Sequence, residues 1–169
     1  MARKVGRSAG RSLAPNIMAR IDALAQLSAD QNALTRLYLS NEHKAATHLI
    51  LGWMRDAGMT AGIDATGTVT GRIEGARADG KTLLLGSHID TVRNAGRFDG
   101  NLGVVIAIEV VAELQRKQQK LPYAIEVLAF GDEEGVRFPR TLSGSRAVAG
   151  TFDPDALDAV DAEDRKSVV

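Results

Sequence analysis

The stretch TLLLGSHID (residues 82–90) is a short apolar run that ends in an imidazole and a carboxylate. A second run, IEVLAFGDEE (residues 125–134), ends in three consecutive carboxylates. Both runs have the length and composition of buried strands. Residues 103–118, which lie between them, are apolar at first and strongly polar at the end, as in a helix that packs on a sheet. The order strand, loop, helix, strand predicts a βαβ unit and therefore a parallel or mixed sheet.

Composition limits the classes of protein that the chain can represent. Its 169 residues are enough for one domain, and 44% of them are hydrophobic and 25% charged, as in ordinary globular proteins. The formal net charge of zero argues against nucleic acid or a membrane surface as a partner. The lack of cysteine excludes disulfides and thiolate metal sites, which leaves imidazole and carboxylate as metal ligands. We expect a cytoplasmic protein.

The remainder of the chain predicts further helices and one more strand. Residues 1–15 are basic and are expected to be a flexible N-terminus, whereas residues 16–169 belong to the folded domain. A first helix is expected after Pro15, and a second helix from the N-cap Ser40 to a stop at Gly58. A short strand is expected over residues 68–73.

Carboxylates and one imidazole follow the two predicted central strands. Ligands of open α/β sheets bind at the carboxyl ends of the strands, so His88 and Asp90 are expected to lie near Glu133 and Glu134. Asp99 occupies a glycine-flanked loop from which its carboxylate could bridge two cations. Adjacent glutamates point in different directions, which suits one metal ligand and one general base. The residues alone leave a metal site and an ordinary solvated acidic cluster equally open.

Three separated motifs resemble those of a known family. GSHIDTV (residues 86–92), GRFDGNLGV (residues 96–104) and FGDEEGVRF (residues 130–138) are similar to the motifs of M20-type metallohydrolases. Within that family they resemble the branch of allantoate amidohydrolases and N-carbamoyl-L-amino-acid hydrolases. TLSGSRAVAG (residues 141–150) extends the resemblance, which covers roughly residues 16–158.

The resemblance implies a role for each candidate residue. His88 would bind one metal ion, Asp99 would bridge two, and Glu134 would bind the second. Glu133 would be the general base, and Asp90 would position the site. The implied cofactors are two divalent ions (zinc, manganese or cobalt), and the implied reaction is hydrolysis of a ureido or carbamoyl C–N bond in a small substrate. The implied fold is α/β and three-layered, with a central mixed, largely parallel sheet, as in the catalytic domains of Zn-peptidase-like phosphorylases and hydrolases.

The chain also departs from the family pattern. Family members carry two further histidine ligands downstream, a lid and dimerisation domain that makes them homodimers, and a C-terminal catalytic segment. The other histidines here, His43 and His48, lie upstream and are expected on the surface or in helix packing. We therefore expect residues 16–169 to be the N-terminal part of the catalytic domain, inactive by itself. Two alternatives stay open: an M20-type metallo-aminopeptidase or aminoacylase, and a non-catalytic fragment. Arg137 and Arg146 are further candidates for pairing with a substrate carboxylate.

Overall fold

The computed structural model describes residues 12–161 and contains a four-stranded sheet with helices. The elements are α1 (Ala14–Ala25), α2 (Asn41–Asp56), β1 (Thr60–Ile63), β2 (Val69–Ile73), β3 (Thr82–His88), α3 (Asn101–Arg116), β4 (Ala124–Phe130), α4 (Ser143–Val148) and a 3-10 helix (Pro154–Asp158). The strands lie in the order β1-β2-β4-β3. None of the helices in this range is long and apolar enough to cross a membrane.

The sheet is mixed, which confirms the predicted α/β class. β3 and β4 are parallel neighbours joined by α3, as the βαβ pattern predicts. The other two pairings, β1 with β2 and β2 with β4, are antiparallel. In the parallel pair His88 lies opposite Phe130, so both central strands end at the same edge of the sheet.

The predicted helices form for the local reasons seen in the sequence. The Ser40 hydroxyl accepts a hydrogen bond from the His43 backbone N–H and thereby caps α2. Gly58 follows α2 with a φ of +80°, a left-handed conformation that glycine adopts without strain. α1 begins at Ala14 with Pro15 in its first turn. Residues 1–11 of the predicted flexible segment 1–15 lie outside the described residues. The last two residues of that segment, Ala14 and Pro15, belong to α1.

The hydrophobic core lies between one face of the sheet and the first three helices. α2 packs on β1 and β2, α3 packs on β3 and β4, and α1 packs mainly on α3. Fully buried representatives from these elements are Ile21, Leu24, Ile50, Met54, Val105, Ile108, Val69, Val127 and Ala129. This packing fixes the end of β3 and the start of α3 relative to each other.

β3 differs from the expectation that it is buried on both sides. Within residues 12–161 it is an edge strand with β4 as its single neighbour, and the side chains of Leu83 and Leu84 are 42% and 50% exposed. The prediction of a buried strand is therefore wrong for this part of the chain. The reason is that the composition of a strand reports its hydrophobicity and not the position of the strand in the sheet.

Candidate metal centre

The carboxyl ends of β3 and β4 bring the predicted site residues together. The Ile89 backbone N–H donates to the Phe130 carbonyl at 3.0 Å, so the parallel pairing continues one residue past β3. One potential ligand atom from each of His88, Glu133 and Glu134 lies within 4.8 Å of the other two. The three side chains are partly buried. Two segments that are 45 residues apart in sequence therefore form one cluster.

The His88 ring is oriented with one nitrogen toward the protein and one toward the cluster. Its Nδ1 lies 3.0 Å from the Asp90 backbone carbonyl, and because a carbonyl only accepts, Nδ1 carries the proton. Its Nε2 lies 3.8 Å from Asp99 Oδ1 and 3.9 Å from Glu133 Oε2. With Nδ1–H held in this way, Nε2 is the nitrogen that faces the cluster, and a cation bound there would take the place of its proton.

Asp90 joins the ends of the two central strands. Its Oδ1 accepts the backbone N–H of Glu133 and its Oδ2 accepts the backbone N–H of Glu134, each at 3.1 Å. Burial disfavours the charge on Asp90, but the hydrogen bond with His88 and these two N–H groups outweigh it and lower the pKa of the carboxyl. An ionised Asp90 thus fixes the backbone from which both glutamate side chains project.

The charges of the cluster favour a cation. Burial opposes protonation of His88, but the hydrogen bonds to Asp90 and the charge of Glu133 raise the pKa of the imidazole to about 9. Burial and the neighbouring carboxylates, opposed by His88, raise the pKa of Glu134. Carboxylates that repel one another are stabilised when a positive ion is placed between them.

The donor set and its dimensions fit a divalent cation. Ligand atoms at 2.0–2.2 Å from a first-row ion are about 3–3.5 Å apart. The two His88 Nε2 contacts, at 3.8 and 3.9 Å, exceed this spacing by less than about 1 Å, a gap that side-chain rotation closes. Asp99 lies outside the group of three, and its side chain is 60% exposed, so it is free to turn toward the cluster.

Glycine permits the close approach of the Asp99 loop to the imidazole. Gly100 has a φ of +62°, and a Cβ atom there would lie 2.6 Å from the His88 ring. No real Cβ contact is that short, so a side chain at this position would displace the ring. Glycine is therefore favoured after Asp99 for two reasons: a Cβ atom would clash with the His88 ring, and the backbone has a positive φ.

The sequence interpretation gave no role to two buried residues beneath the site, although both lie in segments that resemble the family. Arg36 is fully buried, and its Nε donates to the Ile89 carbonyl at 2.8 Å. Its Nη2 donates to Oδ1 of Asn101, the buried first residue of α3, at 2.7 Å. The signal in the sequence was a single arginine within the largely apolar segment LTRLYL (residues 34–39).

The remaining histidines and Arg137 lie elsewhere. His43 is buried edge-on against Tyr38, and neither ring nitrogen has a hydrogen-bond partner among residues 12–161. His48 is exposed, with Nδ1 at 2.8 Å from the Lys44 carbonyl. Both fit the expected packing and surface roles. Arg137 pairs with Asp161 at 2.7 Å and is largely buried, so its charge is used inside the fold.

An α/β sheet with an imidazole and paired carboxylates at the ends of parallel strands is typical of metal-dependent hydrolases. The sequence profile of Peptidase family M20/M25/M40 matches residues 84–167. The chain belongs to this family.

Relatives with specific names share most of this chain. It is 44% identical over 146 residues to allantoate deiminase 2 of Glycine max, covering 85% of this chain and 30% of that protein. It is 45% identical over 130 residues to an N-carbamoyl-L-amino acid amidohydrolase of Geobacillus stearothermophilus, covering 77% and 32%. A crystal structure of a hydantoinase/carbamoylase family amidase from Burkholderia ambifaria superposes with a TM-score of 0.84 at 33% identity, covering 91% of this chain and 38% of that one. The chain thus spans about a third of the length of these relatives.

Proposed function

We propose that this protein is part of a metal-dependent hydrolase of linear, non-peptide C–N bonds, with ureido or N-carbamoyl compounds as substrates. The observation that carries the proposal is the convergence of His88, Glu133 and Glu134 within 4.8 Å at the ends of two parallel strands. Membership of the family and the names of the relatives support the reaction type and the substrate class.

We propose that two divalent cations are held here, of the zinc, manganese or cobalt type. His88 Nε2 would bind one, Glu134 the other, and Asp99 would contact both with its two carboxylate oxygens. When bound, such ions make water a stronger acid and polarise the carbonyl that is attacked. Because the described residues near the cluster supply a single imidazole, we expect this chain to bind divalent metal with a dissociation constant in the micromolar range or weaker.

The chain's own residues divide the remaining work. Glu133 would accept a proton from the attacking water at a carboxylate oxygen and return it to the leaving nitrogen. Its side chain is 41% exposed, which leaves that oxygen accessible to water and substrate. Asp90 would hold the Glu133 and Glu134 backbone in place through its two N–H bonds. His88 would keep donating its Nδ1–H to the Asp90 backbone carbonyl.

Metal titration of paired glutamine variants tests the division between the two glutamates. In Glu133→Gln we expect Mn²⁺ affinity within about threefold of the wild type, because a base is lost and not a ligand. In Glu134→Gln and in Asp99→Ala we expect a loss of tenfold or more. Glu126→Gln is the matched control. This β4 glutamate lies away from the cluster, and its Oε2 pairs with Arg72 Nη1 at a distance of 3.0 Å. Loss of metal in Glu133→Gln but not in Glu134→Gln would show that the two roles are reversed.

Substrate assays on the full-length product of the gene test the reaction class, because the 169-residue chain is expected to be inactive by itself. Allantoate, an N-carbamoyl-L-amino acid and a dipeptide are compared with and without added Mn²⁺. The proposal expects metal-dependent release of product from a ureido or carbamoyl substrate. Faster hydrolysis of the dipeptide would favour the aminopeptidase or aminoacylase alternative.

A further inference from the structure

Arg36 is a buried cation whose hydrogen bonds go to neutral groups. Its side chain has no exposure, and its four bonds reach three backbone carbonyls and one side-chain amide within the described part of the chain. A buried guanidinium costs several kcal/mol unless its donors are satisfied, so a position that retains one needs a structural reason.

The four bonds of Arg36 point in three directions. Nη1 donates to the carbonyls of Leu24 and Leu27, at 2.7 and 3.1 Å, and so binds the C-terminal end of α1, where the helix dipole favours a cation. Nε donates to Ile89, the residue between His88 and Asp90, at 2.8 Å.

The third direction leads to the loop that carries Asp99, another candidate ligand. Nη2 donates to Oδ1 of Asn101 at 2.7 Å, and the Asn101 backbone N–H in turn donates to the Asp99 carbonyl at 2.6 Å. The backbone of Arg36 adds two bonds with Thr91, through the Thr91 hydroxyl at 2.8 Å and the Thr91 N–H at 2.9 Å. One planar side chain therefore spans the distance between the segment after β3 and the first residue of α3.

We propose that Arg36 is a positioning residue of the metal site, which sets the spacing between the His88–Asp90 segment and the Asp99–Asn101 turn. The contact it controls is the separation of His88 Nε2 from Asp99 Oδ1, 3.8 Å in this structure. Ligands on one ion must approach to about 3–3.5 Å, so any further separation of the two segments adds to the gap that side-chain rotation already has to close, and weakens binding of the ion. Groups that orient metal ligands from behind typically affect affinity by about 10–100-fold. This inference rests on the proposed metal site.

Lysine substitution at two arginines separates positioning from general stability. Arg36→Lys keeps the charge, but all three N–H donors of an ammonium sit on one nitrogen, which cannot reach acceptors that the three separate nitrogens of the guanidinium contact. Arg20→Lys is the matched control, because Arg20 also ties α1 to α3, through Glu109 at 2.9 Å, and lies away from the candidate ligands. Asn101→Ala, which removes the Nη2 partner and a long bond from Asn101 Nδ2 to the Arg97 carbonyl at 3.5 Å, gives a milder variant if Arg36→Lys fails to fold.

The experiment measures Mn²⁺ affinity by the electron paramagnetic resonance of free Mn²⁺, at a temperature where circular dichroism shows each variant to be folded. The visible spectrum of bound Co²⁺ reports the coordination geometry. We expect Arg36→Lys to weaken Mn²⁺ binding by about tenfold or more and Asn101→Ala by about three- to tenfold, both with a changed Co²⁺ spectrum. We expect Arg20→Lys to lower the melting temperature while affinity and spectrum stay as in the wild type.

Three results would overturn the inference. A folded Arg36→Lys or Asn101→Ala variant with wild-type Mn²⁺ affinity and Co²⁺ spectrum would contradict the positioning role of Arg36 but leave the proposed function standing. An equal loss of Mn²⁺ affinity in Arg20→Lys would have the same consequence. Absence of Mn²⁺ and Co²⁺ binding in the wild-type chain would contradict the metal site itself, and with it the inference.

Discussion

Asp90→Asn is the substitution whose effect follows most directly from the geometry of the site. The carboxylate uses its two oxygens separately, one for the Glu133 N–H and one for the Glu134 N–H. Asparagine has a single acceptor oxygen, so one N–H must face an NH₂ group and lose its partner. Asp90 is 2% exposed, and water is poorly placed to replace the lost acceptor.

The cost can be worked out from these two bonds. A buried N–H without a partner costs about 1–3 kcal/mol, and the remaining bond weakens by about 1 kcal/mol because it is no longer charge-assisted. We therefore expect the free energy of unfolding to fall by about 2–4 kcal/mol. Urea denaturation with EDTA present measures this value without any contribution from bound metal.

A second aspartate provides the matched control. Asp64 also accepts two backbone N–H groups, from Thr66 at 2.8 Å and Thr68 at 3.1 Å, but both go to Oδ1. Asp64→Asn can therefore keep both bonds, and we expect a loss below about 1 kcal/mol. If Asp90→Asn cost no more than Asp64→Asn, the reasoning about two separately used oxygens would be refuted.

Two further predictions concern His43 and Gly100. Burial lowers the pKa of His43 to about 4, so between pH 6.5 and pH 5 the unfolded chain gains a proton that the folded chain does not. The unfolding free energy should fall by about 1.5 kcal/mol over this range from His43 alone, and urea titrations should show a flatter pH dependence in His43→Leu; an unchanged slope would contradict the prediction. In Gly100→Ala the new Cβ meets the His88 ring at 2.6 Å with φ at +62°, so we expect a loss of about 2 kcal/mol or more and at least tenfold weaker Mn²⁺ binding. Gly52→Ala, in α2 with open space around it, should instead stabilise by about 0.5–1 kcal/mol, and wild-type Mn²⁺ affinity in Gly100→Ala would contradict the role of Gly100.

The parts of the fold that the sequence predicts are those set by local pattern. The apolar run before His88, the helix after Ser40 and the run before Glu133 each contain their own signals, and the structure has all three. The meeting of His88 with Glu133 was predictable because parallel neighbours of a βαβ unit end at one edge.

The parts that could not be predicted depend on contacts between distant segments. Arg36 bonds to carbonyls and an amide that lie 9 to 65 positions away in sequence, and no local pattern marks a buried arginine as a link between loops. The edge position of β3 depends on which strands pair, and its apolar composition does not reveal this. The split of the Asp90 carboxylate between two N–H groups depends on side-chain geometry that spacing does not fix.

The location of a bound ion tests whether His88 and Asp99 hold a metal. Crystals of the protein soaked in Mn²⁺ are measured at a wavelength that gives anomalous scattering from manganese, and the anomalous difference map is inspected around β3 and β4. We expect a peak at about 2.0–2.3 Å from His88 Nε2, with a carboxylate oxygen of Asp99 in the same coordination sphere. A map with manganese bound elsewhere, or with no peak beside His88 at saturating Mn²⁺, would contradict the account.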